Sequence, residues 1–132
     1  MEALETRLQP WAPYIRSLLR IMAALLLLGF GLWKLFDFPS APNFEITPIY
    51  YAAGIIELIG GTLLTLGLFT RPVAFFLSGE TAVAYFYDHA PSSFYPVEND
   101  GGLPIMFSFV CLYFFFAGGG PLSLDRLVLK RE

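Results

Sequence analysis

Charge is scarce in this chain of 132 residues: Asp, Glu, Lys and Arg make up 14% of it, against about 25% in an ordinary soluble domain. There is one cysteine, Cys111, and one histidine, His89. A single thiol excludes an internal disulfide and a dithiol redox pair, and a single imidazole excludes bis-histidine haem within one chain. The net charge of -3 carries no basic excess, which argues against a nucleic-acid partner. No phosphate-cradling glycine loop and no Ser/His/Asp set is present. No secretory leader is expected either, because Glu2 and Glu5 precede the first apolar run and no small-residue cleavage site follows it.

What the chain has instead is apolar surface, 56% of its residues, with 17% aromatic. One domain of this length cannot hide that much from water, so a lipid environment is the economical reading. The expected fold class is all-α, a polytopic membrane protein built as a four-transmembrane-helix bundle. The spans fall at about Tyr14 to Phe36, Ile49 to Phe69, Pro72 to His89 and Leu103 to Ala117. Residues 1–13 read as an N-terminal interfacial segment with Trp11 at headgroup level. Residues 14–125 form the transmembrane domain and 126–132 a cytoplasmic C-terminal tail. Cys111, inside an apolar run, is a small filler.

The informative residues are two acids within apolar segments, Glu57 and Glu80. An ionisable group in hydrocarbon is costly unless paired, protonated or facing water, and so marks a functional candidate. Gly54, Glu57, Gly61 and Thr65 share one helix face, and Arg20, Ala24, Leu27, Gly31 and Lys34 share another. Such small and polar stripes suit helix–helix contact. Glu80, Ala84 and Tyr87 are expected on the inner face of the third span. Lys34 is the expected partner of Glu57, and Arg20 a cation that reaches Glu80 from below; Arg16 and Arg20 are otherwise expected to snorkel toward headgroups. Counted from Arg71, Glu80 stands roughly 13 Å and Glu57 roughly 21 Å from the turn. A difference of about 7 Å would keep them from sharing a proton.

Each acid has a structural reading beside the functional one. Glu57 locks two helices through an ion pair, or Glu80 is a neutral carboxyl hydrogen-bonded within the bundle. The functional alternative is a ligand-binding or proton-linked site formed by Glu57, Glu80, Lys34, Arg20, Tyr85 and His89, with no metal. Tyr85 and Tyr87 also suit an interfacial aromatic belt. His89 suits the end of a span, hydrogen-bonded to the following loop; a rim metal site with Asp88, Glu98 or Asp100 is the alternative.

The segment GIIELIGGTLLTLGLFTRPVA, the stretch ETAVAY from Glu80 to Tyr85, His89, Asn99 with its Gly-Gly turn, and the closing GGGPLSLD together resemble the DoxX family. The resemblance covers roughly residues 15–126. It implies a small four-helix membrane protein associated with quinone-coupled oxidoreductase assemblies. Where the family usually carries an acid after the glycine pair, this chain has Leu103-Pro104. The resemblance implies an integral membrane subunit of a redox-linked complex, with quinone as the candidate cofactor and a soluble oxidoreductase as candidate partner. Membrane lipid and a second copy of the chain are further candidate partners. Two other functions fit the residues: a small proton-coupled transporter or exporter, and a structural anchor that recruits soluble enzymes. The protein is not expected to be catalytic alone.

Four spans would place both termini and the Arg71 turn on one side. That side then holds Arg7, Arg16, Arg20, Arg71, Arg126, Lys130 and Arg131, leaving Lys34 for the other. The positive-inside rule assigns the arginine-rich side to the cytoplasm, in the inner membrane of the cell. A cysteine placed at Ser93 should react with an impermeant thiol reagent from the outer side of intact cells. Labelling from the cytoplasmic side alone would reverse the topology.

Overall fold

A computed structural model describes residues 1–131 and is helical throughout its regular structure. The order is α1 (Glu2–Leu8), α2 (Ala12–Phe36), α3 (Pro48–Leu66), α4 (Thr70–Ala84), α5 (Pro96–Asn99), α6 (Gly102–Ala117) and α7 (Leu124–Leu127). A 3₁₀ turn, Gln9–Trp11, joins α1 to α2, so that Glu2–Phe36 runs as one helical rod. By length and composition that rod and Pro48–Leu66 are both apolar enough to cross a membrane, while Gly102–Ala117 is shorter. Proline opens α3 and α5 at positions where its missing N–H costs nothing.

The four longer helices pack as two pairs, α2 along α3 and α4 along α6, with α3 meeting α4 between them. The stripe Arg20, Ala24, Leu27 and Gly31 is buried as the spacing predicts. Glycine sets how closely α2 and α3 approach. A Cβ on Gly31 would lie 2.7 Å from the Leu58 amide nitrogen, and one on Gly61 2.8 Å from that of Leu28. Backbones in contact at these points gain dispersion that larger residues would prevent. Between α4 and α6 two serines exchange hydrogen bonds: Ser78 Oγ donates to the Ser108 carbonyl at 2.7 Å and Ser108 Oγ to the Ser78 carbonyl at 3.0 Å.

The buried face of α4 is Thr70, Ala74, Leu77, Ser78 and Thr81. This corrects the expected inner face of Glu80, Ala84 and Tyr87, since Tyr87 is exposed and the other two are half-buried. The apolar run of α4 is too uniform to fix its phase; the small residues at 74, 78 and 81 do so by admitting α6 and α3. Past Ala84 the chain winds into a wider π-helical turn, Tyr85–His89, closed by Ala90 N–H donating to the Tyr85 carbonyl.

At the end holding both termini a polar knot ties all four helices. Arg20 is fully buried, so its expected snorkelling is wrong. Its Nε donates to the Leu64 carbonyl at 2.9 Å and its Nη2 to that of Leu122 at 2.7 Å, while Nη1 donates to Gly119. These carbonyls belong to the end of α3, where helix geometry leaves acceptors unsatisfied, and to the non-helical segment between α6 and α7. Asp125 accepts from the amides of Phe69 and Thr70 at 2.7 and 2.8 Å, capping α4. Ser123 caps α7 by accepting from the Arg126 amide. Gly120, at φ +83°, lets the chain pass against Ser17 and Pro13 where a side chain has no room. The GGGPLSLD segment thus holds the bundle together. Of the expected tail, Glu132 lies outside the described residues.

Candidate functional site

Lys34 and Glu57 form the expected ion pair. Lys34 Nζ lies 2.7 Å from Glu57 Oε1 and 2.9 Å from Oε2, with both side chains largely buried. Small residues make room for it: the Lys34 stem packs over Gly54, one turn from Glu57. A carboxylate holding an ammonium with both oxygens is the geometry in which a buried pair offsets its own desolvation.

Glu80 joins this pair. Its carboxyl lies close enough to interact with that of Glu57 and with the Lys34 ammonium. The depth difference of about 7 Å expected from a continuous helix does not arise, because the connection between the two helices is not helical. α3 stops at Leu66 and α4 begins at Thr70, so Gly67 to Phe69 reverse the chain and add no rise. Counted from the helix ends, Glu57 is nine residues back and Glu80 ten along, or about 14 and 15 Å. Gly67 at φ +69° and Phe69 at φ +53° make that tight reversal.

Among the described residues neither oxygen of Glu80 receives a hydrogen bond from an N–H or O–H group, although both are buried. The trio therefore holds two carboxyls for one ammonium. A net negative charge is costly in this apolar setting, and one proton on the carboxyl pair removes it. That proton also supplies the donor that two facing carboxylates lack.

Two cavities flank the trio. One, of about 430 Å³, is a groove between α3 and α4 lined by Ile49, Ile56, Phe75, Phe76, Gly79 and Val83, with Glu80 at its inner wall. Phe76, Val83 and Ile56 are exposed, so this groove opens sideways from the bundle. The other, of about 400 Å³, is a vestibule under the long loops. Glu57, Thr81, His89, Asp100, Leu103 and Phe107 line it, together with the aromatic rings of Trp33 and Phe44. Lys34, Tyr50, Ala84 and Asp88 border both spaces. In the wider π-helical turn Asp88 faces α3 and accepts from Tyr50 Oη at 2.5 Å, closing the seam above the trio.

The other expected site residues lie elsewhere. Arg20 is committed to the polar knot and does not reach Glu80. Tyr85 stacks on His89 with their planes 11° apart and accepts from Asn99 Nδ2 at 3.2 Å. His89 Nδ1 is 2.7 Å from the Asn99 carbonyl, an arrangement in which Nδ1–H donates. Tyr85 and His89 thus fasten the 90–101 loop, as expected for His89, and only His89 borders the vestibule. Tyr50 was missed; its signal is a tyrosine one helical turn from Gly54, on the rim that Lys34 occupies.

These features describe a small helical membrane protein with an ionisable site inside its helices. The DoxX family profile matches residues 15–90. An uncharacterized protein of Haemophilus influenzae is 39% identical over 131 residues, spanning 94% of this chain and 98% of its own length. Another uncharacterized protein of the same organism is 36% identical over 74 residues, covering 56% of this chain and 49% of that protein. No solved structure matches the chain. The chain belongs to the DoxX family.

Because either acid can serve Lys34, single substitutions should be mild. Glu57→Gln and Glu80→Gln should each cost about 1 kcal/mol. The double substitution strands a buried ammonium and should cost about 3–5 kcal/mol. Unfolding of all three variants in detergent checks this, and a strictly additive double mutant would show that the acids do not share the lysine.

Proposed function

We propose that the protein spans the inner membrane four times, with both termini cytoplasmic, and binds a small amphipathic ligand at Glu80. The ligand reaches Glu80 from the bilayer through the groove between α3 and α4. The 14–125 segment is the membrane domain, flanked by an interfacial N-terminal segment and a cytoplasmic tail. The observation that carries this reading is Glu80 itself: two buried acceptor oxygens without a donor, at the inner wall of an apolar groove that opens sideways. The proton on the carboxyl pair serves one of these oxygens; a ligand with a hydroxyl head supplies a donor for the other, and its apolar tail lies along Phe75, Phe76 and Ile56.

A hydroquinone has both parts, which supports placing the protein as an accessory membrane subunit of a redox-linked complex. In that role the chain holds the quinone-type ligand and handles its proton, while electrons move on a partner oxidoreductase. The carboxyl pair is suited to the proton: Lys34 stays charged, and a proton added to or taken from the pair changes the charge by one unit without moving a helix. A proton-coupled exporter would use the same carboxyls, and the groove opening to the bilayer favours a lipid-soluble cargo in that case. A packed anchor with no ligand would leave the apolar groove beside Glu80 without a role.

A short-chain hydroquinone added to the protein in detergent tests the proposal. It should raise the unfolding temperature saturably, by the equivalent of about 2.7 kcal/mol at a hundred times its Kd. Glu80→Gln should lose the effect, as should Gly79→Phe, which fills open space in the groove. An equal shift in Glu80→Gln, or none in the wild type, would contradict it.

A further inference from the structure

The two carboxyls border different spaces. Glu80 borders the sideways groove and Glu57 the vestibule, with Lys34 on the boundary between them. Toward the termini the site is closed. Leu27, Leu64, Leu77, Cys111 and Phe114 fill the layer beyond it with almost no exposure, and the Arg20 knot lies behind them. Tyr50 and Asp88 border both spaces, but the vestibule adds His89 and Asp100, whereas the wall of the groove is mostly apolar. For a proton on the carboxyl pair the vestibule is thus the more polar way out. In the vestibule it meets Asp88, His89 and Asp100, contributed by the π-helical turn and the loop before α6, and Tyr50 from α3.

We infer that the vestibule is the proton outlet of the site, with Glu57 passing protons between Glu80 and the water under the long loops. The inference rests on the protonated carboxyl pair and ligand groove proposed above, and adds the route and its direction. The transfer is simple to balance. The O–H bond on Glu80 breaks as one forms on Glu57. The Glu57 O–H then breaks as its proton passes to a water in the vestibule, and both acids are carboxylates until the ligand's hydroxyl gives a proton to Glu80. Lys34 keeps its three hydrogens and stabilises whichever acid is ionised. Under the proposed topology this outlet faces outward, so a proton released from a ligand in the groove would leave on the side opposite the termini.

The seam explains why the two spaces do not merge. The Tyr50–Asp88 hydrogen bond and the Ala84 methyl close it above Lys34. The ligand therefore stays on the bilayer side while the proton crosses through the carboxyls.

Infrared spectroscopy of the reconstituted protein tests the route, reading the rate at which a protonated carboxyl band shifts when D2O replaces water. Leu103→Trp narrows the vestibule, and Phe107→Trp does so from the adjoining turn of α6; Phe109→Trp, exposed on the same helix and lining neither cavity, is the control. Each vestibule variant that unfolds at the wild-type temperature should slow the shift about tenfold, and Phe109→Trp should leave it unchanged. Unchanged exchange in both vestibule variants, equal slowing by Phe109→Trp, or no exchangeable carboxyl band in the wild type would each overturn the outlet. If the hydroquinone fails to bind while the vestibule variants still slow exchange, the outlet stands and the ligand assignment falls.

Discussion

The arrangement of this protein depends on one charge imbalance, two carboxyls and one ammonium held together among apolar helices. Lys34 is bound by both oxygens of Glu57, and Glu80 faces the same group from the next helix. A simple ion pair would be complete without Glu80. With it, the cluster is neutral only when a proton is present, so the protein carries a proton-binding position by construction. Small residues make this affordable in space: Gly31, Gly54 and Gly61 bring α2 and α3 close enough for a lysine on one to reach a carboxyl on the other.

The polar chemistry is divided between the two ends of the bundle. At the end with the termini, Arg20 and Asp125 spend their hydrogen bonds on backbone groups that helix ends leave open. Arg71 does the same for α6, donating to the carbonyls of Phe115 and Phe116. Those side chains fix geometry and have little capacity left for a ligand. At the loop end, Glu57, Asp88 and Asp100 border open space beside Lys34. Exchange belongs at the end where polar groups meet a cavity, and rigidity at the end where they are saturated.

Much of this was legible in the residues. Apolar runs bounded by proline and glycine mark the four long helices, and the spacing of small residues marks the contact of α2 with α3. The Lys34–Glu57 pair follows from depth and from the scarcity of other cations. The closeness of Glu57 and Glu80 did not follow, because it depends on where α3 stops: the three residues Gly67 to Phe69 look like helix by hydropathy and act as a reversal. Arg20 was misread for a related reason. A basic residue near a helix end reads as snorkelling, and only the folded glycine run shows which carbonyls it serves. The face of α4 was illegible because its apolar residues lie on all sides of the helix, leaving packing against α6 to choose the phase.

The central claim is that Glu57 and Glu80 carry a proton between them beside a charged Lys34. Its most direct test is the infrared difference spectrum of the wild type against Glu80→Gln in lipid at neutral pH, in the region of carboxylic-acid C=O stretching. A protonated carboxyl band present in the wild type and missing in the variant is the predicted result. A spectrum in which both proteins show only ionised carboxylates would contradict it, and Glu80 would then be a second, uncompensated charge inside the bundle.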